Sequence, residues 1–185
     1  MSDTDVARAA WIAASGPHIR TARPDELDVV ADLVGLAYTL GGGMAADDPY
    51  LEMLRDAPTR AATNEVLVAV VDGRVCGSLT WCPPGSAHRE ISSANEGEFR
   101  MLAVSVPARG RGVGTALVRH CLDEAARLGL DAVVASSAGW MTQAHRIYQR
   151  LGFERTPHLD WQPRPDITLI TFRYPIPAPA AGMAR

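Results

Sequence analysis

A glycine- and arginine-rich turn lies near the middle of the chain, between a β-rich stretch and a stretch with helical spacing. It is part of VPARGRGVGTAL (106–117), in which residues 109–114 hold three glycines and two arginines. Three residues without side chains let the backbone turn sharply and leave the first amides of the following helix available to an anion. The stretch therefore predicts a strand–turn–helix unit whose turn either binds a phosphate or is a solvated surface turn.

Strand and helix patterns on both sides of the turn predict one mixed α/β domain with the order β-α-α-β-β-β-α-β-α-β. The clearest hairpin, at 65–82, places Asp72-Gly73 between two β-rich runs, as a tight two-residue turn requires. A long polar connection at 83–97 is typical of a functional or mobile loop. The predicted strands cover 18–23, 65–82, 98–106, 131–138 and 166–174, and the predicted helices cover 24–40, 47–62, 113–128 and 140–151.

Apolar spacing on the two helices after the turn indicates which faces pack against the sheet. Glycines at 129 and 152 are natural helix stops, and Pro58 is expected to shorten the earlier helix over 47–62. The predicted buried faces are Val113, Leu117, Cys121, Ala125 and Leu128 on one helix, and Trp140, Ala144, Ile147, Tyr148 and Leu151 on the other.

The composition is that of an ordinary globular domain, since 47% of the 185 residues are hydrophobic and 21% are charged. We expect a flexible leader over 1–17, a single domain over 18–174 and a disordered Pro- and Ala-rich tail over 175–185. The N-terminus lacks the pattern of a signal peptide, and no apolar run approaches the ~18 residues that span a bilayer. These features predict a cytoplasmic protein with no membrane partner.

Charge and cysteine content exclude several classes of chemistry. The formal net charge of −3 disfavours a nucleic-acid partner, because such binders carry a broad basic surface. All 18 cationic residues are arginine, so the chain has neither a Schiff-base lysine nor a P-loop lysine. Cys76, Cys82 and Cys121 are far apart and lack zinc-ligand spacing, so we expect buried thiols and no metal.

The spacing within the turn narrows the choice of phosphate ligand. A P-loop requires GxxxxGK[ST], and the chain has no GK pair. A dinucleotide fold has GxGxxG and an acid at the end of the next strand, whereas this turn reads RxxGxG and Asp131 begins the next predicted strand. Both nucleotide interpretations are therefore weakened.

Two sequence blocks resemble the GNAT superfamily of N-acetyltransferases. LAVSVPARGRGVGTALV (102–118) resembles its acyl-CoA-binding signature, an apolar strand and a turn followed by [Q/R]xxGxG/A at the start of a helix. Arg109, Gly112 and Gly114 occupy the three defining positions. About thirty residues later, AHRIYQRLGF (144–153) is similar to the family's A-x-x-x-Y-x-x-x-GF helix end. The element order resembles that of the family from about residue 18 to 174.

The resemblance implies a GNAT-like fold, with a splayed, mixed and mostly antiparallel central sheet flanked by helices. It implies acetyl-CoA as cosubstrate and transfer of an acetyl or longer acyl group, by direct attack, to a primary amine of a small molecule or peptide. By analogy with the family, a homodimer is also possible for this chain. The residues expected to hold acyl-CoA are Leu102, Ala103, Val104, Arg109, Gly110, Arg111, Gly112, Val113, Gly114, Thr115, Met141, Ala144 and Tyr148, with Met141 standing where the family often has Asn.

Two residues are candidates for proton transfer. Glu98 lies eleven residues before Arg109, where the histone-modifying branch of the family carries its catalytic glutamate, and it is the expected base. In a regular strand Glu98, Arg100 and Leu102 share one face, and an ion pair with Arg100 would weaken Glu98 as a base. In many relatives a water takes the proton instead of a directly placed carboxylate, so the identity of the base stays open. Tyr148 occupies the tyrosine position of the second block and is the expected acid for the departing thiolate, unless it is simply a core residue.

The same residues are compatible with a second class of function, a non-catalytic acyl-CoA-binding sensor or scaffold of GNAT-like fold. The acceptor amine is not identified by the sequence. Trp81, Trp161 and Tyr50 either line the acceptor pocket or pack in the core. Acidic residues that either rim the acceptor mouth and favour a cationic amine, or are merely solvated, are Asp47, Asp48, Glu52, Glu90, Glu96 and Glu98.

Overall fold

Eight strands form one sheet within residues 16–40 and 43–177, the part of the chain that the structure, a computed structural model, describes. The strands are β1 (His18–Thr21), β2 (Glu65–Val71), β3 (Arg74–Cys82), β4 (Glu96–Val104), β5 (Ala132–Ala138), β6 (Glu154–Arg155), β7 (Trp161–Arg164) and β8 (Ile167–Pro175). Their order is β1-β2-β3-β4-β5-β8-β6, with β7 also paired to β8. Every described pairing is antiparallel except that of β4 with β5. The mixed, mostly antiparallel sheet is confirmed.

Five α-helices in the same part of the chain flank this sheet: α1 (Leu27–Thr39), α2 (Tyr50–Arg55), α3 (Ala57–Thr63), α4 (Val113–Arg127) and α5 (Thr142–Leu151). Helices α1–α3 pack on one face, with Val30 and Leu54 in their core, and α4 and α5 pack on the other, with Leu117 and Tyr148 in theirs. None of the described helices combines the length and the apolar composition needed to cross a bilayer.

Strand β2 shows how one sheet supports both cores. Leu67 and Ala69 belong to the core beneath α4 and α5, whereas Val66 and Val68 belong to the core beneath α1–α3. Successive strand residues point to opposite faces, so a strand covered on both faces is apolar at nearly every position. The run EVLVAVV has this composition, which explains why β2 lies inside the sheet.

The pairing of β4 with β5 is short and decides the shape of the sheet. Residues 96–98 pair with residues 132–134, and the described register between these two strands ends there. Strand β5 continues on its other edge with β8, as far as the pair Ala138 and Leu169. The facing edges of β4 and β5 are therefore open beyond this point, which is the splay that the resemblance predicts.

A β-bulge in β4 changes which side chains face which core. Met101 has a φ of 55°, and the register with β3 shifts next to it. Phe99 and Leu102 both contact the core beneath α4 and α5, whereas Met101 lies in the opposite core. The expectation that Leu102 shares a face with Glu98 and Arg100 is wrong, because a bulge inserts one residue and inverts the alternation beyond it.

The helix predicted over 47–62 is divided into α2 and α3. Asp56 lies between them, and its carboxylate accepts a hydrogen bond from Thr59 N at 3.1 Å. Pro58 is the second residue of α3, a position at which a missing amide is tolerated. The break therefore comes before Pro58, and Asp56 caps the second helix.

Two further expectations about elements differ from the structure. Leu128 was expected in the buried face of the third predicted helix but is 42% exposed, because α4 ends at Arg127, and Leu130 is buried instead. Strands β6 and β7 are missing from the sequence prediction. Their signal is weak, since β6 has two residues and β7 contains Pro163.

The predicted leader over 1–17 and the predicted tail over 175–185 lie largely outside the described residues. Strand β8 continues through Pro175, and Ile176 N donates a hydrogen bond to Asp131 O at 2.9 Å. The described domain thus extends at least to Ile176, two residues past the predicted boundary at 174.

Gly97 of β4 generates a prediction about stability. A Cβ at this position would lie 2.2 Å from Cη2 of the buried Trp81. We expect Gly97→Ala to lower the free energy of unfolding by about 1–3 kcal/mol, because a packed indole has little room to move. Denaturant unfolding followed by fluorescence measures this change. Gly16→Ala, with nothing within 4 Å of the added Cβ, is the control, and an equal loss in both variants would contradict the close packing.

Candidate active site

The glycine turn joins the end of β4 to the first residue of α4. A 3₁₀ turn over Val106–Ala108 follows β4, and Gly110 and Gly112 then adopt φ values of 75° and 83°. Positive φ is disfavoured for any residue with a Cβ, which explains glycine at both positions. Gly112 directly precedes α4 as its N-cap. The predicted strand–turn–helix unit is confirmed.

The first turn of α4 presents amides that its own helix cannot satisfy. Hydrogen bonding of α4 begins with Ala116 N, which donates to Gly112 O at 2.9 Å. The amides of Val113, Gly114 and Thr115 come before it and are therefore first-turn donors. Together with the positive end of the helix dipole, such donors form a site suited to phosphate.

A cavity of about 360 Å³ adjoins this turn and the N-terminus of α4. Apolar side chains from the end of β4 and from α5 form part of its wall, and Arg109, Arg146 and Arg150 make it cationic. The lining matches a ligand with an anionic group and an apolar arm. The residues that line the cavity are Ala37, Leu40, Leu102, Val104, Ala108, Arg109, Gly110, Gly112, Val113, Gly114, Thr115, Trp140, Met141, Thr142, Gln143, Ala144, Arg146, Ile147 and Arg150.

The structure brings most of the predicted acyl-CoA residues to this cavity; Ala103, Arg111 and Tyr148 are the exceptions. The side chain of Ala103 lies in the core beneath α1–α3, on the other side of the sheet, because of the bulge in β4. Arg111 is half-buried at the turn. The main chain of these two residues nevertheless belongs to the strand and turn that form the cavity wall.

Gly114 sets the distance between the two helices beside the cavity. A Cβ at this position would lie 2.8 Å from Cδ1 of Ile147 on α5. Glycine therefore allows α4 and α5 to approach closely, and both helices contribute residues to the cavity wall.

Tyr148 lies on α5 and is turned toward the core. It is 3% exposed, and its ring centroid is 5.5 Å from that of Phe99 and 5.3 Å from that of Phe172. Burial, and to a smaller extent the neighbouring Tyr38 and Cys121, raise the pKa of Tyr148 well above its ordinary value. The hydroxyl is therefore protonated at neutral pH, as an acid must be. Its catalytic role stays a prediction.

A second, narrow cavity of about 30 Å³ lies on the α1–α3 face of the splay. Trp140 lines both cavities, so the two adjoin at this residue. The residues that line the narrow cavity are Tyr38, Met44, Tyr50, Leu54, Glu90, Arg100, Met101, Ser136, Ser137, Ala138, Trp140, Pro163, Ile167 and Leu169.

Glu90 and Arg100 form an ion pair at the wall of this narrow cavity. The distance between Glu90 Oε1 and Arg100 Nη2 is 2.5 Å, and Arg100 Nη1 donates to His88 O at 3.0 Å. Burial raises the pKa of Glu90 to about 7, although Arg100 opposes the rise, and Glu98 adds to it. A carboxyl group in this state exchanges a proton near neutral pH.

Glu98 is fully buried at the last position of β4 that pairs with β5, where its carboxylate holds the loop between β3 and β4. Its Oε2 accepts hydrogen bonds from the amides of Glu90 (2.9 Å), Ile91 (3.1 Å) and Ser92 (3.2 Å) and from the Ser92 hydroxyl (3.1 Å). Glu98 lines neither cavity. This placement argues against its predicted role as the base, because the carboxylate is buried and committed to the loop.

Several other acids expected at an acceptor mouth have structural partners. Asp48 pairs with Arg164 at 2.6 Å, and Glu96 pairs with Arg173 at 2.7 Å. Trp81 lies in the core beneath α4 and α5. Trp140 was predicted only as part of a buried helix face, and no local sequence pattern marks it as the residue that lines both cavities. For Glu90, the available signal was its place in a long polar loop directly before β4.

The element order, the glycine turn and the splayed strand pair agree with a known family. The model of the acetyltransferase (GNAT) family matches residues 31–153. The chain belongs to this family. The matched span runs from within α1 to just past α5, so it includes the glycine turn and most of the wall of both cavities.

Solved structures of GNAT proteins have the same fold as this chain. One is yncA of Salmonella typhimurium, determined with its cofactor acetyl-CoA, with a TM-score of 0.59 at 20% identity over 92% of this chain and 100% of that one. Another is an N-acetyltransferase of Staphylococcus aureus Mu50, with a TM-score of 0.65 at 18% identity over 88% of this chain and 100% of that one.

A curated relative by sequence is the N-acetylaspartate synthetase of Rattus norvegicus. It is 33% identical over 102 residues, which are 55% of this chain and 32% of that protein. This chain thus matches about a third of the length of that relative.

The 360 Å³ cavity fits acetyl-CoA, the cosubstrate that the GNAT family uses. First-turn amides of α4 and the arginine side chains match a diphosphate, because both offer donors and positive charge. The open edge of β4 offers backbone groups to an extended amide-bearing arm. Met141 supplies an apolar contact on the wall where the family often has an amide side chain.

A substitution at Gly112 tests directly whether the glycine turn and the first-turn amides of α4 bind the diphosphate of CoA; we call these groups the cradle. We expect Gly112→Leu to weaken CoA binding at least tenfold, because its Cβ would project beside the donors and the φ of 83° disfavours a side chain. Calorimetric titration with CoA measures the affinity.

Gly73→Leu is the matched control, since Gly73 has a similar φ of 73° in the hairpin turn, away from the cavity. Both variants should lose stability to a similar degree, and only Gly112→Leu should lose affinity. Unchanged CoA binding by Gly112→Leu would contradict the cradle.

Proposed function

We propose that this GNAT protein transfers an acetyl group from acetyl-CoA to a primary amine of a small molecule or peptide. The observation that carries the proposal is the 360 Å³ cavity, whose wall combines the N-terminus of α4, three arginines and the open edge of β4. This arrangement can hold an anionic ligand and aim its extended arm toward the splay.

The proposal assigns binding roles to residues of the chain. The amides of residues 113–115 and the side chain of Arg109 bind the diphosphate. Main-chain groups of residues 102–104 bind the pantetheine arm, so Ala103 takes part through its backbone although its side chain points away. Bound acetyl-CoA supplies an acetyl group activated as a thioester. A fixed backbone N–H directed at its carbonyl contributes about 3 kcal/mol to catalysis.

Tyr148 is the proposed acid for the sulfur. It lies on α5, whose neighbouring residues Ala144 and Ile147 line the cavity. Burial keeps its hydroxyl protonated, because the raised pKa opposes loss of the proton at neutral pH. Because Tyr148 lines neither cavity, this role requires its hydroxyl to become accessible from the cavity when acetyl-CoA is bound.

The acceptor is proposed to enter from the α1–α3 face, opposite the acyl-CoA cavity, and to meet it beside Trp140. A space of about 30 Å³ holds roughly one water, so this site must widen when an amine binds. The name of the relative, N-acetylaspartate synthetase, makes an α-amino acid the first acceptor to test. The Glu90–Arg100 pair offers one charge of each sign, which suits a zwitterion.

Acetyl transfer is tested with a panel of amines. The protein is incubated with acetyl-CoA and, in turn, L-aspartate, other amino acids, a polyamine, an aminoglycoside and a short peptide. We expect free thiol to appear with at least one amine, and mass spectrometry should show that amine carrying one added acetyl group. Tight CoA binding without turnover for any amine would contradict transfer and favour a non-catalytic acyl-CoA sensor.

A second experiment tests Tyr148. We expect Tyr148→Phe to lower kcat about 100-fold and to leave CoA affinity nearly unchanged, because the ring still packs while the proton donor is lost. Tyr174→Phe is the control, since Tyr174 packs against Phe153 at a centroid distance of 5.4 Å and does not line the cavity. A Tyr148→Phe variant with wild-type kcat would remove Tyr148 from the mechanism.

A further inference from the structure

We propose that Glu90 takes the proton from the acceptor's ammonium group and that Glu98 is a positioning residue that holds Glu90 in the narrow cavity. This inference rests on the proposed acetyl transfer. It gives Glu90 the role of base that the spacing predicts for Glu98, because Glu90 lines a cavity and Glu98 does not.

Glu98 holds the loop that carries Glu90. A single oxygen, Glu98 Oε2, accepts hydrogen bonds from three consecutive amides, those of residues 90–92, and from the Ser92 hydroxyl. A buried carboxylate is stable only when it is hydrogen-bonded, so the loop and the strand stabilise each other. The backbone of Glu90 is thereby fixed beside Glu98, the last residue of β4 that pairs with β5.

Three further contacts hold the loop on either side of Glu90. Arg100 Nη1 donates to His88 O at 3.0 Å, and Asn64 Nδ2 lies 2.8 Å from His88 Nδ1. On the other side, Ser93 N donates to Glu96 Oε2 at 2.9 Å. The segment that carries Glu90 is therefore attached at several points, which limits the positions that its side chain can reach.

The side chain of Glu90 lines the narrow cavity, together with Arg100, Tyr38, Tyr50 and Trp140. Among the described residues of this lining, Glu90 carries the only carboxylate. Trp140 also lines the acyl-CoA cavity, so the two cavities adjoin at this residue. An acceptor nitrogen in the narrow cavity therefore has the carboxylate of Glu90 in its wall, whereas Glu98 lines neither cavity.

The titratable and charged groups that face Glu90 come from α1 (Tyr38), α2 (Tyr50), β3 (Cys82) and β4 (Glu98 and Arg100). Burial raises the pKa of Tyr38 to about 12 and that of Cys82 to about 11, and it also raises that of Tyr50, so all three are neutral near pH 7.

Among the charged groups just named, Arg100 and Glu98 are the two that act on Glu90 by charge, in opposite directions. Burial outweighs Arg100 and brings the pKa of Glu90 to about 7. A base with a pKa of about 7 is about half ionised at neutral pH and mostly ionised above it, so it can take up a proton from an ammonium group there. Its side chain is 25% exposed, which gives the proton a way out to solvent.

The complete step balances in protons. The ammonium nitrogen gives one proton to Glu90, then forms a bond to the acetyl carbon while the carbon–sulfur bond breaks. Tyr148 gives its proton to the sulfur, and the second proton of the nitrogen restores Tyr148. Glu90 returns its proton to solvent, so the net products are the acetylated amine, free CoA and one proton.

The test begins with the protein itself, in the presence of CoA. Carbon-13 labelling of glutamate side chains should show one carboxyl group that titrates near pH 7, absent from Glu90→Gln and unchanged in Glu154→Gln, which removes an exposed carboxylate on β6. Hydrogen exchange at the amides of residues 90–92 should quicken at least tenfold in Glu98→Gln and stay unchanged in Glu90→Gln. Titration of Glu90 in the ordinary glutamate range would overturn the inference.

Activity then separates the two roles. With the best amine of the panel, wild-type kcat/KM should fall about tenfold per pH unit below pH 7, because protonated Glu90 cannot accept a proton. Glu90→Gln should lose at least 100-fold at pH 7 together with this pH dependence, Glu90→Asp should keep the dependence, and Glu98→Gln should shift its midpoint. CoA affinity, expected to be unchanged, reports on folding.

The outcomes distinguish this inference from the proposed function. A wild-type protein that acetylates no amine would refute the transfer itself and, with it, the role of Glu90. Normal turnover by Glu90→Gln with the wild-type pH profile would refute only the role of Glu90 and leave a water relay as the base.

Discussion

The short parallel contact between β4 and β5 is the constraint on which the rest of the structure depends. Three residues of each strand pair, and beyond them the facing edges are open. Both cavities lie along this opening, and Trp140 lines both of them. A fully paired parallel ladder would use these backbone groups within the sheet. It would leave neither an edge for an extended ligand nor a route from one face of the sheet to the other.

The two carboxylates near this opening differ because of their surroundings. One oxygen of Glu98, Oε2, accepts four hydrogen bonds from N–H and O–H donors of the loop, which hold Glu98 as a buried structural group. Glu90 lies eight residues earlier in the chain, pairs with Arg100 at the wall of a narrow cavity, and has its pKa raised to about 7 by burial. Environment therefore decides which carboxylate holds the loop and which one lines a cavity.

Features that depend on neighbouring residues were predictable. The Asp72-Gly73 hairpin, the stop at Gly152 and the turn before α4 follow from backbone preferences that only a few residues determine. The helix over 47–62 was only partly predictable, because Asp56 competes as a cap within it. The bulge that places Glu98 and Leu102 on opposite faces of the sheet was not predictable, because the positive φ of Met101 arises where β4 adapts to its partner strand.

The sequence by itself determined that a strand meets a helix through a glycine turn, and hence that first-turn amides and arginines are available to a phosphate. These properties are local, since φ preferences and helix ends involve residues close together in the chain. Only the tertiary structure decided that Glu98 is buried while Glu90 faces a cavity, and that Tyr148 lies in an aromatic core. Burial and hydrogen bonding of these groups depend on strands and loops that are distant in sequence and that meet only when the sheet forms.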